Sequence, residues 1–312
     1  MNIGLDMMGG DYAPREAVKG VRLYLDENQG ASALYLTGDE NLLNPLLSEY
    51  AIPASAIRLI HTPEVIGMDE HPTKALKEKK QSSIAVGFHL LAKGKIDGFI
   101  SAGNTGAMMV GALFSIKAME GVQRPTIAAI IPKENGKTGL LLDVGLNADC
   151  KAEHLNQFAQ LGSLYAQHIL GIDHPRVSLL NIGEEEAKGN LLAQAAYPLL
   201  KENKQIHFTG NIEGRDILLD KTDIMVCDGF TGNIILKLAE SLYGIAKNKQ
   251  VNSEYFDRFN FENYGGTPVL GVAKPVIIGH GISQAKAFKN MITLARKMIA
   301  TDLPSKIKAS FS

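Results

Sequence analysis

The residues best able to do chemistry in this chain collect in short clusters of Gly, Asn, Asp and Thr, each following an apolar run. The first is Asp6-Met7-Met8-Gly9-Gly10-Asp11 and the second is Ser101-Ala102-Gly103-Asn104-Thr105-Gly106. Further along come Asp143-Val144-Gly145-Leu146-Asn147, the stretch from Asn181 to Lys188-Gly189-Asn190, then Asp228-Gly229-Phe230-Thr231-Gly232-Asn233 and Gly279-His280-Gly281. Glycine lets a backbone approach a ligand closely. A helix that starts just after such a turn aims unpaired N–H groups at the same place, which holds an anion without basic side chains. One such cluster is also what any strand-to-helix turn uses. Several of them on one sheet edge point instead to an anionic, phosphate-bearing substrate. The candidate contacts are Asp6, Gly9, Gly10, Asn104, Thr105, Gly106, Asn147, Asn190, Asn233 and His280.

Stronger signatures for other chemistry are missing. Gly9-Gly10 does not extend to GxGxxG, and no GxxxxGK[ST] loop, GxSxG elbow or HExxH pair occurs. Cys150 and Cys227 have no ligand-type spacing, so neither a disulfide framework nor a structural zinc is expected. No cofactor or metal is implied.

The elements that must position these clusters alternate. Strands are expected at residues 2–6, 33–37, 57–61, 97–101, 126–131, 139–143, 176–181, 206–209, 223–227 and 275–278. Helices are expected at 15–27, 82–93, 105–119, 153–170, 191–201, 232–246 and 284–299. Repeated strand-then-helix units predict a three-layer αβα fold with a largely parallel sheet, whose strand carboxyl ends carry the ligand site. At 312 residues, one large domain or two interlocked lobes fit the same pattern. The reading adopted is a single α/β domain over 1–312, with a polar excursion near 247–266.

Hydrophobic residues make up 45% of the chain and charged residues 21%, enough to bury a substantial core, and the net charge of -1 offers nucleic acid no bulk attraction. The chain reaches Asp6 before any apolar run of signal-peptide length, and no segment has the length of a membrane span. A cytoplasmic protein is expected, with contact at a membrane surface left open.

In their order along the chain, these blocks resemble the PlsX family of phosphate acyltransferases. The resemblance is carried by Leu5–Asp11, 101–107, 143–151, 181–190, 210–216, 228–233, Tyr264-Gly265-Gly266 and His280-Gly281, and so spans nearly the whole chain. It implies transfer of a fatty acyl group from acyl carrier protein to inorganic phosphate, the entry step of bacterial phospholipid synthesis. It also implies a fold related to isocitrate and isopropylmalate dehydrogenases and to phosphotransacetylase, with the chain as a homodimer. Two departures stand out: Leu146 where the family carries a small residue, and a shorter, more polar stretch at 244–263, where relatives have an amphipathic excursion linked to membrane contact.

Phosphate is already a competent nucleophile, so the chemistry calls for positioning and oxyanion stabilisation more than for a strong base. Asn104, Thr105, Gly106, Asn181, Asn190 and Asn233 are assigned to the phosphate and oxyanion. Lys188, where the family motif also places a lysine, is the expected electrostatic anchor. Asp228 either orients Lys188 or a phosphate proton, or caps the following helix. Glu184, Glu185 and Glu186 are expected in a first helical turn, where acids complement the dipole. Cys150 beside Lys151 offers a covalent route if its pKa is lowered. Lys74, Lys77, Lys79 and Lys80 are either a docking patch for an acidic carrier or a solvated helix face. Met7, Met8, Met108 and Met109 either line an acyl channel or fill the core. Two alternatives remain: a phosphotransacetylase-like enzyme using acyl-CoA, and a non-catalytic regulator that binds a phosphorylated ligand.

Overall fold

The computed structural model describes residues 1–28 and 32–311, which fall into two compact units. The first comprises Met1–Met119 and Glu262–Pro304, the second Glu120–Phe261 and Ser305–Ser312.

In the first unit the strands are β1 (Asn2–Asp6), β2 (Ala33–Gly38), β3 (Ile57–His61), β4 (Gly98–Ser101), β10 (Thr267–Leu270) and β11 (Val276–Ile278). Their order is β3-β2-β1-β4-β11-β10, all parallel except β10, which runs against β11. The inner strands are apolar on both faces, as a sheet covered twice requires: Ile3, Leu5, Phe99 and Ile100 are fully buried. The helices are α1 (Arg15–Glu27), α2 (Glu40–Glu49), α3 (Pro72–Glu78), α4 (Ser83–Ala92), α5 (Thr105–Gly111) and, late in the chain, α10 (Ala285–Ala300). Neighbouring residues of β4 identify the two outer layers, because successive side chains point to opposite faces. A Cβ on Gly98 would meet Ile299 of α10, whereas the Phe99 ring lies against Gly87 of α4. α1 packs along α10 on the same side.

In the second unit the strands are β5 (Thr126–Pro132), β6 (Thr138–Leu142), β7 (Arg176–Asn181), β8 (His207–Glu213) and β9 (Ile224–Val226), in the order β5-β6-β9-β7-β8. β5 and β6 are antiparallel and the rest parallel. α6 (Ala152–Tyr165) packs on β6 and β9 and against α7 (Leu191–Glu202), while α8 (Gly229–Asn248) packs on β5 and β6. The expected polar excursion holds the end of α8, the short α9 (Glu254–Asp257) and a 3-10 turn at Phe261–Asn263. The last helix, α11, is Leu303–Phe311.

The three-layer, mostly parallel architecture matches the sequence expectation, with differences in detail. The helix expected at 105–119 is α5 continued by a single π turn, Ala112–Ile116, that stops where Lys117 takes a φ of 70°. α2, which carries Pro45 within it, together with α9, α11 and β10, was not expected, and α3 was expected only as one reading of the 74–80 lysines. Among the described residues no helix is long and apolar enough to cross a membrane.

Candidate active site

In the first unit β1, β4 and β11 are parallel neighbours, so the segments that follow them meet at one edge. Asp6, 1% exposed, is the centre of this cluster. Its carboxylate accepts a hydrogen bond from Ser101 Oγ at 2.6 Å and from the Met8 N–H at 2.9 Å. Ser101 Oγ in turn accepts from the Gly103 N–H at 2.9 Å. Burial pushes the Asp6 carboxyl above its ordinary range, against the lowering effect of the Ser101 hydrogen bond. Gly9 is required by contact: a Cβ there would lie 2.5 Å from both Asp6 Oδ2 and the Gly103 nitrogen. Gly10 takes a φ of 101°, and the chain closes with the Asp11 N–H on Gly281 O at 2.8 Å, which brings the His280 loop to the same edge. The Ile282 N–H donates to His280 Nδ1 at 3.4 Å.

Asn104 and Thr105 follow directly, but the Asn104 side chain is already engaged. Its amide donates to Gly67 O, Met68 O and Glu70 O at 2.9, 3.3 and 3.0 Å, and its oxygen caps α5 through the Ala107 N–H at 2.9 Å. It pins the 67–70 loop, leaving the exposed Thr105 and the half-buried Gly106 as the open positions of this turn. Met7 and Met108 are fully buried and belong to the core.

The second unit builds its own cluster at the carboxyl ends of β6 and β9. Asp143 is fully buried and accepts four hydrogen bonds. Ile127 N and Leu146 N donate to Oδ1 at 3.0 and 3.3 Å, and Asn147 N and Nδ2 donate to Oδ2 at 2.6 and 2.8 Å. Asn147 continues the chain of contacts, its Nδ2 reaching Pro125 O at 2.9 Å and its carbonyl accepting the Gly229 N–H at 2.8 Å. Asp228 caps α8, with both oxygens on Thr231 (backbone N–H and Oγ1, each 2.8 Å). Asn233, one turn into α8, faces Gly145.

The third group is the 181–190 loop at the end of β7. Asn181 donates to Lys188 O at 3.0 Å, and Asn190 caps α7 through the Ala193 N–H at 2.8 Å. Lys188 is exposed, and among the described residues its ammonium has no carboxylate partner. The acidic run corrects the sequence reading, for it precedes α7 and is not its first turn. Glu184 pairs with Lys221 at 2.9 Å and Glu186 with Lys201 at 2.9 Å, so two of the three acids are neutralised away from Lys188.

The family model described as "Fatty acid synthesis protein" matches residues 1–249 and 244–306. The chain is 43% identical over 328 residues to the phosphate acyltransferase of Halothermothrix orenii, covering 99% of this chain and 98% of that one. It is 44% identical over 328 residues to the phosphate acyltransferase of Aquifex aeolicus, covering 98% and 96%. The chain belongs to the phosphate acyltransferase family. It is therefore an acyltransferase. The fold is shared with solved phosphotransacetylases: EutD from Staphylococcus aureus (TM-score 0.64, 18% identity, 96% of this chain and 94% of that chain) and the Streptococcus pyogenes enzyme (TM-score 0.66, 17% identity, 96% and 94%).

For this acyltransferase the condition on which the covalent route through Cys150 depended is not met. Burial, reinforced by the nearby negative charge of Asp143, pushes its thiol up to about 11, the opposite of the lowering that Lys151 and the helix start suggested. At neutral pH it is a thiol and a poor nucleophile. Leu146 is half-buried in the Asp143 turn. Sequence reasoning did not list Asp143 or Ser101 as site residues. The available signal was position: a carboxylate or hydroxyl closing a strand buried on both faces must find donors, and here these are the N–H groups of the glycine turns.

Proposed function

We propose that this enzyme transfers a fatty acyl group from acyl carrier protein to inorganic phosphate, giving an acyl phosphate for phospholipid synthesis. The full-length match to phosphate acyltransferases carries this reading. The glycine-rich strand ends support it, since Thr105 and Lys188 stay exposed beside such turns and backbone N–H groups at a strand-to-helix turn can hold an oxyanion. In the reaction a phosphate oxygen attacks the thioester carbonyl, a C–O bond forms, the C–S bond breaks and the thiolate leaves on the carrier. Thr105, Gly106 and their backbone contact the oxyanions in the first unit, with Asp6, Gly9, Gly10 and His280 shaping that edge. In the second unit Asn147, Asn181, Asn190 and Asn233 shape the loops, and Lys188 supplies the positive charge. Asp228, with both oxygens on Thr231, acts by fixing the start of α8 and not by moving a proton. The high Cys150 pKa favours direct attack over an acyl-cysteine intermediate.

In this reading residues 1–312 work as one catalytic domain in a cytoplasmic homodimer. Support for the dimer comes from α8, whose Phe230, Ile234, Leu238 and Ile245 are exposed at spacings that align them on one helix face. Light scattering at micromolar concentration checks it: a monomer would remove the dimer from the proposal.

The reaction is tested by thiol release from palmitoyl-acyl carrier protein with and without phosphate, on the wild type and Lys188→Ala. Phosphate-dependent release is expected, with kcat/KM falling about 10- to 100-fold in the variant. Release with palmitoyl-CoA alone would assign a phosphotransacetylase-like donor. Phosphate binding without any release would assign a binding protein.

A further inference from the structure

The first unit carries an apolar trough of about 740 Å³ that the reaction machinery does not use. Its walls are Leu76 of α3, Val86 and Phe88 of α4, and Val110 and Gly111 of α5. α4 and α5 pack closely at its floor, since a Cβ on Gly111 would lie 2.1 Å from the Phe88 ring. Lys77 and Lys80 form its rim together with Phe114, which is 74% exposed. Lys79 of the same basic run is paired with Glu70, but Lys77 and Lys80 have no carboxylate partner among the described residues. Thr73, His89 and Ala92 at the margins are exposed as well, so the trough lies open along its length.

An open trough leaves one side of a bare acyl chain in water, so burial of a lipid tail is poorly served. A helix laid across it would cover the floor with its apolar side chains and set its acidic residues against the two lysines, with Phe114 as an aromatic anchor. We infer that the α3–α4–α5 trough is the docking surface for an acidic, amphipathic helix of the acyl-carrying partner protein. The placement suits such a partner. Thr105 of the oxyanion turn begins α5 and Phe114 sits nine residues on, roughly 13 Å along the helix axis. A carrier seated on the trough thus needs only a flexible thioester arm to reach that turn. The inference rests on the carrier-protein reading above.

The test uses the full chain, titrated with holo acyl carrier protein and assayed with palmitoyl-acyl carrier protein. Reversing both rim charges, Lys77→Glu with Lys80→Glu, is expected to weaken binding and raise KM at least about ten-fold while kcat stays within about two-fold, with the loss shrinking at high salt. Phe114→Ala is expected to act in the same direction, and both proteins should melt like the wild type because these side chains are exposed. Unchanged affinity in the charge-reversed protein, with a wild type that binds and turns over, overturns the docking surface and leaves the donor assignment standing. Wild-type binding without turnover, lost on charge reversal, keeps the surface and removes the reaction. No wild-type binding overturns the surface, and if turnover is also absent it overturns the reaction as well. Loss of binding to phosphatidylglycerol vesicles, with carrier affinity intact, overturns the inference in favour of a lipid surface.

Discussion

The two units use the same device with different outcomes. Each closes a buried strand region with an aspartate at the start of a glycine turn: Asp6 in the first, Asp143 in the second. Asp143 meets backbone N–H and amide donors that cannot turn around, two on each oxygen. Asp6 meets the Met8 N–H on one oxygen and the Ser101 hydroxyl on the other, with the Ser83 hydroxyl and the Gly9 N–H also favouring its charged form. A hydroxyl can donate or accept, so it tolerates either protonation state of its partner, whereas an N–H tolerates only an acceptor. The second unit has built a fixed anchor for its turn. The first has built a site that can keep a proton at higher pH than a free carboxyl would.

Substitutions can break this contrast, beginning with the most damaging. In the second unit the anchor leaves no room behind it, for a Cβ on Gly232 would sit 1.8 Å from Asp143 O. Gly232→Ala is expected to cost about 3 kcal/mol or more of stability, read by urea unfolding. Tolerance of the alanine would show that the turn is less rigid than the Asp143 contacts imply. Next comes Asp143→Asn. Whichever way the amide is placed, its NH2 faces two donors, and a loss of about 2–3 kcal/mol is expected.

The equivalent change in the first unit sharpens the comparison by doing little. In Asp6→Asn the amide oxygen keeps the Met8 N–H and the NH2 meets a Ser101 hydroxyl able to rotate, so the expected change at pH 5 is below about 1 kcal/mol. Its signature is in the pH dependence. Because the folded pKa of Asp6 is raised, the native state holds this proton at a pH where the unfolded chain has released it. Its contribution is full below the unfolded pKa of about 4 and is lost as pH rises through the folded value. Thermal melts between pH 4 and 8 should therefore show a decline in the wild type that is absent in Asp6→Asn. Equal slopes in the two proteins would remove the distinction between the aspartates.

Legibility along the chain followed the strength of local pattern. β1, β3 and β7 lie at the expected residues because β-branched and leucine runs bounded by polar turns admit few other structures. α2 escaped because Pro45 reads as a helix breaker, yet the helix accommodates it. β10 escaped because Thr267-Pro268-Val269-Leu270 carries a proline, and its pairing with β11 is a contact that only the folded chain makes. In the site the loops were legible and the duties of their side chains were not. Asn104 reads as a phosphate ligand until its amide is seen holding three carbonyls of the 67–70 loop, more than thirty residues away in sequence.

The sequence by itself determined the class of fold, the family and the segments that carry the chemistry, because hydrophobic period and glycine-rich turns are local properties of the chain. Tertiary structure alone decided which aspartate is a fixed anchor, that the Cys150 thiol is raised to about 11, that Glu184 and Glu186 are neutralised by distant lysines, and that three helices leave an apolar trough with a basic rim. Each of these depends on desolvation or on partners far apart in sequence, and neither exists until the chain has folded.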